Sequence, residues 1–583
     1  MSLWHQYGFL LKYLTAALTF FISCTVAYMT EKYRISTLRR QKQKFLEQNR
    51  RKKNEFAKAV KARKTDLDHE EICRLSLEGL QQRLQNGTYT ASQVLHAFQR
   101  KVVDIDEKLN VVTGYVYEAQ NYAENLDRSP TKGPLYGIPF STKESMALKG
   151  SVSCRGQLGQ TGVIKEESCL LYKILQDQGA VPFVQTNVPY LSATITCVNP
   201  LFGATSNPHS ACRHPGGSSG GEGALVASGA SVLSLGSDYG GSVRIPAAWC
   251  GVVGLKSSSS RLSNKGNYAN EANGFLLYPT YGPISQDVDS AAFVMRHLLV
   301  DTMWQQDFHV APLPWKQQIY EDRSRLRIGY YEDNNIVRCV PSVTRALRTA
   351  RVALEGLGHT VVPFKLRPID CKGRDFAEMH NRIVCGDGGK TFRKMMEGDP
   401  DAGKHFFLPL PPSGWLPRWL NLLIARTIAI FDVHRGTEME HACGEGSTHN
   451  WWELTRDVKT WCQNVTQDFM YARLDAILCP ATPSPALLLE QNLGPQVYAS
   501  YTYVYNLLDW TAGVVPVTIV TRTDIDTMEG YPTDSPVHKI IRKAMDDAEG
   551  LPIAVQVATP RFQDELCLRV MNQIEQSVSH CGV

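Results

Sequence analysis

No two cysteines stand three apart as a CxxC pair, no HExxH occurs, and there is neither a Cys/His cluster at zinc spacing nor an EF-hand loop in the 583 residues. These absences exclude the usual structural zinc sites, the metalloprotease helix and the calcium loop, so no metal is expected. Internal repeats and long low-complexity stretches are lacking too. So is an excess of either charge, since 62 Lys and Arg against 57 Asp and Glu leave only +5. Most of that positive charge is local. Residues 31–64 alone carry 14 basic and three acidic side chains, which leaves residues 65–583 at −7. A body of that sign excludes a globally basic nucleic-acid binder. What remains is an ordinary globular composition, 43% hydrophobic and 20% charged, long enough for three or four domains or one large α/β domain. The fifteen cysteines, an odd number scattered from Cys24 to Cys581, fit free thiols in a reducing compartment.

Sixteen consecutive uncharged residues run from Leu14 to Met29, and extending back to Tyr7 adds Lys12 as the only charge. At about 1.5 Å per residue that length comes close to a ~30 Å hydrocarbon core, with Lys12 able to snorkel and Tyr7, Tyr13, Tyr28 and Tyr33 placed for the interfaces. The reading is a transmembrane segment over 1–30. A cleaved signal peptide and a buried core helix are the alternatives, and the basic run just downstream disfavours export. Residues 31–66 then form a basic helical neck, whose Lys and Arg excess places the rest of the chain in the cytoplasm. That neck could meet anionic lipid or could be a solvated linker.

Residues 67–105 read as short helices joined at Asn86-Gly87, packing on the core. Further on, helix and strand patterns alternate. Leu170 to Gln178 and Pro341 to Gly356 are expected helices, and strands are expected at 180–185, 326–331, 360–364, 476–479, 514–520 and 551–558, before a last helix at 564–576. The alternation predicts an α/β fold, a large mixed and largely parallel twisted sheet covered by helices on both faces.

The densest chemistry is PGGSSGGEGALVASGASVLSLGSDYGGSVRIPAAWCGVVGLK, from Pro215 to Lys256. Glycine at this density lets the backbone reach positive φ or approach a ligand closely, and serines among such glycines expose hydroxyls and amides. A phosphate loop would need Gly-Lys-Ser/Thr at a helix start, and no lysine stands there. A dinucleotide turn needs a strand just before it, whereas Ser206 to His214 is polar. The run Gly217 to Gly221 matches GxSxG with Ser219 central, but it too lacks the preceding strand. The remaining reading is a serine hydrolase whose base is a lysine.

That reading acquires specificity from a resemblance. GGSSGG, a small-residue helix and GSDYGGSVRIPAAWCG, together with the upstream Tyr136-Gly137-Ile138-Pro139-Phe140-Ser141-Thr142-Lys143-Glu144, resemble the amidase-signature family of hydrolases. The resemblance implies catalytic residues Lys143, Ser218 and Ser242. Lys143 takes a proton from Ser218, Ser218 takes one from Ser242, and Ser242 attacks an amide carbonyl. A lysine serves as base only when neutral, which burial achieves by lowering its pKa. The N–H groups of Tyr239, Gly240, Gly241 and Ser242 would form the oxyanion hole. Asp238 and Arg244 are expected to pair and hold this loop, Glu144 to support the lysine, Ser219 and Ser237 to bond locally, and His209 and His214 to be loop residues.

The resemblance extends over nearly the whole chain and is strongest to the family's membrane-bound hydrolases of lipid amides. It implies a catalytic domain over 106–577, no cofactor, a homodimer, and a single-pass protein of the endomembrane system with a cytoplasmic catalytic domain. Asn86-Gly87-Thr88 and Asn464-Val465-Thr466, both glycosylation sequons, would then stay unused. A general amidase or an amidotransferase-type subunit acting on a polar amide is the alternative. Residues 406–431 carry only Arg418 and Arg426 as charges and are broken by four prolines. They read as an apolar cap lying in the membrane interface rather than a straight span, a core helix or dimer contact being the other reading. Tyr239 stands where a branched aliphatic is usual, and Ser192, Ala193 and Ile195 replace bulkier residues. Ser192 and Tyr239 therefore join Ser218, Gly240, Gly241 and Ser242 as expected substrate-binding residues.

Overall fold

Pro139–Lys143 and Pro552–Thr559 bury every side chain, as strands do when helices cover both faces of a sheet. The computed structural model describes the chain except at residues 1, 64–66, 268–275, 278, 369–375, 400–401, 403–409, 411–415, 492–496 and 580–583. Its strands are β1 (Val112–Tyr115), β2 (Pro139–Lys143), β3 (Val181–Thr186), β4 (Val198–Asn199), β5 (Gly203–Ala204), β6 (Leu233–Asp238), β7 (Val253–Lys256), β8 (Thr280–Ser285), β9 (Arg327–Tyr330), β10 (Thr360–Pro363), β11 (Ala476–Pro480), β12 (Thr511–Ile519) and β13 (Pro552–Thr559). Eleven of them form one sheet in the order β1-β3-β2-β6-β8-β7-β12-β13-β11-β9-β10, while β4 and β5 make a separate ribbon.

The expected strands at 180–185, 326–331, 360–364, 476–479 and 551–558 fall within a residue of β3, β9, β10, β11 and β13, and the run 514–520 is the later part of β12. The mixed sheet is as expected, but "largely parallel" is corrected. Parallel pairs occur only on the flanks, at β3/β2/β6 and at β11/β9/β10. From β6 through β11 every pair is antiparallel. The helix Arg244–Cys250 links β6 to β7 as in a parallel crossover, but β8 is inserted between them and pairs antiparallel with both. Local alternation cannot register such an insertion, because it is set by a strand that arrives later in the chain.

Three helices, His69–Cys73, Leu77–Gln85 and Ala91–Leu109, pack into the main core through Ile72, Leu77, Leu80, Val94, Leu95 and Phe98. The longest begins with a reciprocal capping box between Thr90 and Gln93. Every cysteine whose side chain is described is a free thiol.

The N-terminus departs from expectation. Ser2–Ala62 is one continuous helix that runs through the expected division at residue 30. Among the described residues, no helix is long and apolar enough to cross a membrane. The expected transmembrane helix, and with it the single-pass topology, is therefore not supported. Thr15, Thr19, Ser23 and Thr25 dilute the hydrophobicity of the uncharged run, and Lys12 interrupts its extension to Tyr7. The far end of the helix is tied to the body by a Phe56–Tyr115 stack at 4.1 Å and a Lys53–Asp106 ion pair at 2.7 Å.

Candidate active site

Lys143 closes β2, between β3 and β6, at the carboxyl ends of three parallel strands where open α/β sheets place their ligands. It is fully buried, and its backbone N–H donates to Tyr172 OH at 3.0 Å. Its Nζ donates to Ser218 Oγ at 2.9 Å, to Ser237 Oγ at 2.8 Å and to the Ser237 carbonyl at 3.3 Å. Burial brings its pKa down to about 7, although Asp238 and Glu222 pull in the opposite direction.

Ser218 follows a cis peptide bond from Gly217 and precedes the buried helix Gly220–Ala227. The next residue ties this loop to the second one, Ser219 N–H donating to the Ser242 carbonyl at 3.1 Å. Ser242 is half-buried, and its Oγ makes no hydrogen bond to a described residue. Lys143 and Ser218 are thus hydrogen-bonded, while Ser242 meets Ser218 across a small cavity that both line.

A buried ion pair shapes the loop that carries Ser242. Asp238, at the end of β6, and Arg244 are both fully buried, with Nη2 2.9 Å from Oδ1. The carboxylate also accepts from the N–H groups of Gly241 at 2.8 Å and Val243 at 3.1 Å. Arg244 reaches the Thr502 carbonyl and Gln556 Oε1 at 2.8 Å each, and Asn506 Oδ1 at 2.7 Å. Burial alone would raise the Asp238 pKa, but Arg244 outweighs it and holds the carboxyl well below the usual range. The expected pairing is therefore present. One part of the expected oxyanion hole is not, because the Gly241 N–H is engaged by Asp238; the N–H groups of Tyr239, Gly240 and Ser242 are not engaged by any described backbone group. Gly241 has φ +128°, and a Cβ there would stand 2.3 Å from Thr502 Oγ1, so only glycine fits.

Glu144 makes no hydrogen bond to Lys143 but acts on it through space, raising its pKa, as Asp238 and Glu222 do more strongly. Its carboxylate accepts from the N–H groups of Cys154 and Arg155 and orders that loop. Glu222, which went unremarked in the sequence, is a further buried acid acting on Lys143. It accepts from Ser141, from Ser234 and from Thr186 Oγ1 at 2.8 Å, and burial raises its pKa. Ser237 is nearer to the chemistry than a local bonding role implies, since it holds Nζ. His209 bonds the Cys250 carbonyl at 2.8 Å and lies with His214 in a loop, as expected.

Two pockets meet at Ser242, and Ser192 and Tyr239 line both. One, of about 440 Å³, is bounded by Ser145, Arg155, Ser218, Ser237, Asn267 and Tyr281 among others. The other encloses about 700 Å³, open mouth included, with Leu191, Ile195, Val384, Phe392 and Met395 on its walls. His380 and Tyr503 also line the second pocket, their ring centroids 4.7 Å apart. The helices Phe376–Val384, Lys390–Met396 and Ser500–Leu507 supply much of this wall. Apart from residues 192, 193, 195 and 239, nothing in the sequence signalled it.

Residues 93–568 match the model of the Amidase family. The chain is 36% identical to fatty-acid amide hydrolase 1 of Sus scrofa over 524 residues, 89% of this chain and 88% of that protein. It is 34% identical to fatty acid amide hydrolase 1 of Caenorhabditis elegans over 520 residues, 87% and 89% of the two chains. A solved structure of fatty acid amide hydrolase superposes with a TM-score of 0.75 at 22% identity, covering 93% of this chain and 95% of that one, a likeness of fold.

Proposed function

Because the chain belongs to the amidase family, we propose that it is a serine hydrolase of fatty-acid amides, with Ser242 as nucleophile, Ser218 as proton relay and Lys143 as base. The observation that carries the reading is a fully buried lysine with a pKa near 7, hydrogen-bonded to a serine that shares a cavity with a second serine. A lysine so placed is neutral in half of the molecules near pH 7 and accepts a proton without an external base.

In the proposed reaction, neutral Lys143 takes the Ser218 proton as Ser218 takes that of Ser242, and Ser242 Oγ bonds to the amide carbon. The carbonyl oxygen becomes an oxyanion facing the free N–H groups of Tyr239, Gly240 and Ser242. The relay then runs backward. Ser218 protonates the nitrogen, the C–N bond breaks and the amine departs, leaving an ester on Ser242. Water, deprotonated through the same relay, attacks that ester and releases the acid. Ser218 lines the smaller polar pocket, so the leaving amine belongs there and the acyl chain in the larger apolar one.

The exposed side of the helix Arg418–Phe431 supports binding to a membrane surface rather than insertion across it. Trp419, Leu423, Ile430 and Phe431 are between 56% and 87% exposed there, with Arg418 and Arg426 on the same helix. The rest of the expected cap, 406–417, lies largely outside the described residues. The homodimer implied by the family resemblance belongs to this proposal as well and is read by light scattering of the purified protein.

The test is kcat/KM for primary amides of increasing acyl length, with Ser242→Ala alongside. Efficiency that climbs with chain length and falls by at least on the order of 10⁴-fold in the variant is the expected result. A flat or short-chain profile moves the enzyme to general amides, and activity surviving in Ser242→Ala refutes the nucleophile.

A further inference from the structure

Within the apolar pocket lies a group of polar atoms that an unbranched hydrocarbon would leave without partners. The hydroxyls of Tyr239, Tyr503 and Ser192 and Nδ1 of His380 are buried, and none is hydrogen-bonded to a described residue. Tyr503 is 2% exposed and His380 6%. All four residues line this pocket beside Ser242, and Ser192 and Tyr239 also border the smaller one; His380 and Tyr503 line the apolar pocket alone of the two. Native structures seldom leave buried polar atoms unpaired, since each costs roughly 1–3 kcal/mol, and four in one pocket mark a place where a ligand supplies the missing partners. An acyl pocket for plain chains would be lined like its far wall, with Leu191, Val384, Phe392 and Met395.

We propose that this pocket selects amides whose acyl chain carries an uncharged oxygen function, a hydroxyl or a keto group, close to the reacting carbonyl. The inference rests on the fatty-acid amide reading and narrows it. Charge excludes the nearest alternatives. Burial lowers the His380 pKa to about 4 and raises both phenols, so all four groups are neutral at pH 7 and none offers an ion pair to offset the burial of a carboxylate or an ammonium group. Each hydroxyl can donate or accept, and neutral His380 can do either through Nδ1 according to its tautomer, which suits an oxygen that itself donates or accepts. Position follows from the loop. Tyr239 is three residues from Ser242, and Tyr503 packs on Gly240, where a Cβ would stand 3.1 Å from its Cδ2. The polar group therefore surrounds the first few carbons of the acyl chain rather than its methyl end.

The experiment compares kcat/KM for primary amides of one chain length, unsubstituted or hydroxylated near the carbonyl or at the far end, and for the N-(2-hydroxyethyl) amide of the unsubstituted acid. The intact chain, Tyr503→Phe and His380→Phe are assayed side by side, with melting temperatures recorded. The expected result is a preference of roughly tenfold or more for the hydroxyl near the carbonyl, since a site built to hydrogen-bond a group rejects its deoxy analogue. That ratio should fall toward one in Tyr503→Phe and in His380→Phe, whereas a merely structural loss would lower turnover of both amides alike and leave the ratio unchanged. If Tyr503→Phe does not fold, the same collapse of the ratio in His380→Phe decides the question. Equal or better turnover of the plain amide by the intact chain overturns the inference and leaves the lipid-amidase reading standing. A Tyr503-dependent preference for the hydroxyl on the amine overturns the acyl assignment. Failure to hydrolyse any long-chain amide, with short ones cleaved, removes the reading on which the inference rests.

Discussion

Replacing Lys143 by methionine should abolish turnover and yet stabilise the protein at neutral and acidic pH. Burial lowers the lysine pKa from 10.5 to about 7, a displacement of about 5 kcal/mol at roughly 1.4 kcal/mol per unit. Between pH 7 and 10.5 the unfolded chain binds a proton here that the folded chain does not. Folding stability therefore rises with pH across that window, and at or below pH 7 the full penalty stands. Methionine fills similar space without a charge to desolvate. It forfeits three hydrogen bonds, to Ser218 Oγ, Ser237 Oγ and the Ser237 carbonyl, at about 1 kcal/mol each, so the net gain at pH 6 is about 2 kcal/mol. With an unfolding entropy of roughly 2.1 cal/mol/K per residue, that is a rise of about 1–2 °C in Tm, which should vanish or reverse by pH 10.5. The intact chain should show kcat/KM rising tenfold per pH unit below about 7 and flat above it, as the neutral base saturates. Calorimetry at pH 6 and 10 and a pH–rate profile read both effects. A rate that still climbs above pH 9, or a variant no more stable at pH 6 than at pH 10, would show that Lys143 keeps an ordinary pKa and would refute the base assignment.

Arg244→Met leaves Asp238 charged in a fully buried place without its partner, so urea denaturation should show a loss of about 3–5 kcal/mol. Activity should fall with it, since Asp238 holds the Gly241 N–H; a change under 1 kcal/mol would mean that the pair does not organise the loop. For the membrane proposal, Trp419→Ser with Phe431→Ser should reduce co-sedimentation with lipid vesicles several-fold while turnover of a short soluble amide stays constant. Unchanged sedimentation would assign the exposed face another role.

Much of the proposed machinery was legible in the sequence because it is local. Lys143 ends a buried strand, Ser218 lies among glycines that only a tight loop needs, and Ser242 stands beside the one residue type that tolerates φ +128°. The strands flanking the sheet were legible for the same reason, each being a short run bounded by turns and paired through a neighbouring helix. Apolar length carried the N-terminal reading too far, since Leu14–Met29 is diluted by threonine and serine and among the described residues no helix is long and apolar enough to cross a membrane. Tertiary structure alone decided that β8 separates β6 from β7, that Asp238 takes an N–H expected at the oxyanion, and that Asp238 and Glu222 act on Lys143 more strongly than Glu144 does. It also decided what the substrate meets. His380 and Tyr503 come from helices more than 130 residues beyond Ser242, and no spacing in the chain marks them as neighbours. Sequence by itself pointed to the proposed chemistry, because the residues assigned as nucleophile and relay and the loop between them lie in segments whose backbone needs are written in glycine and serine. Specificity was left to the fold, because a pocket wall is an agreement among distant side chains that exists only once they are packed.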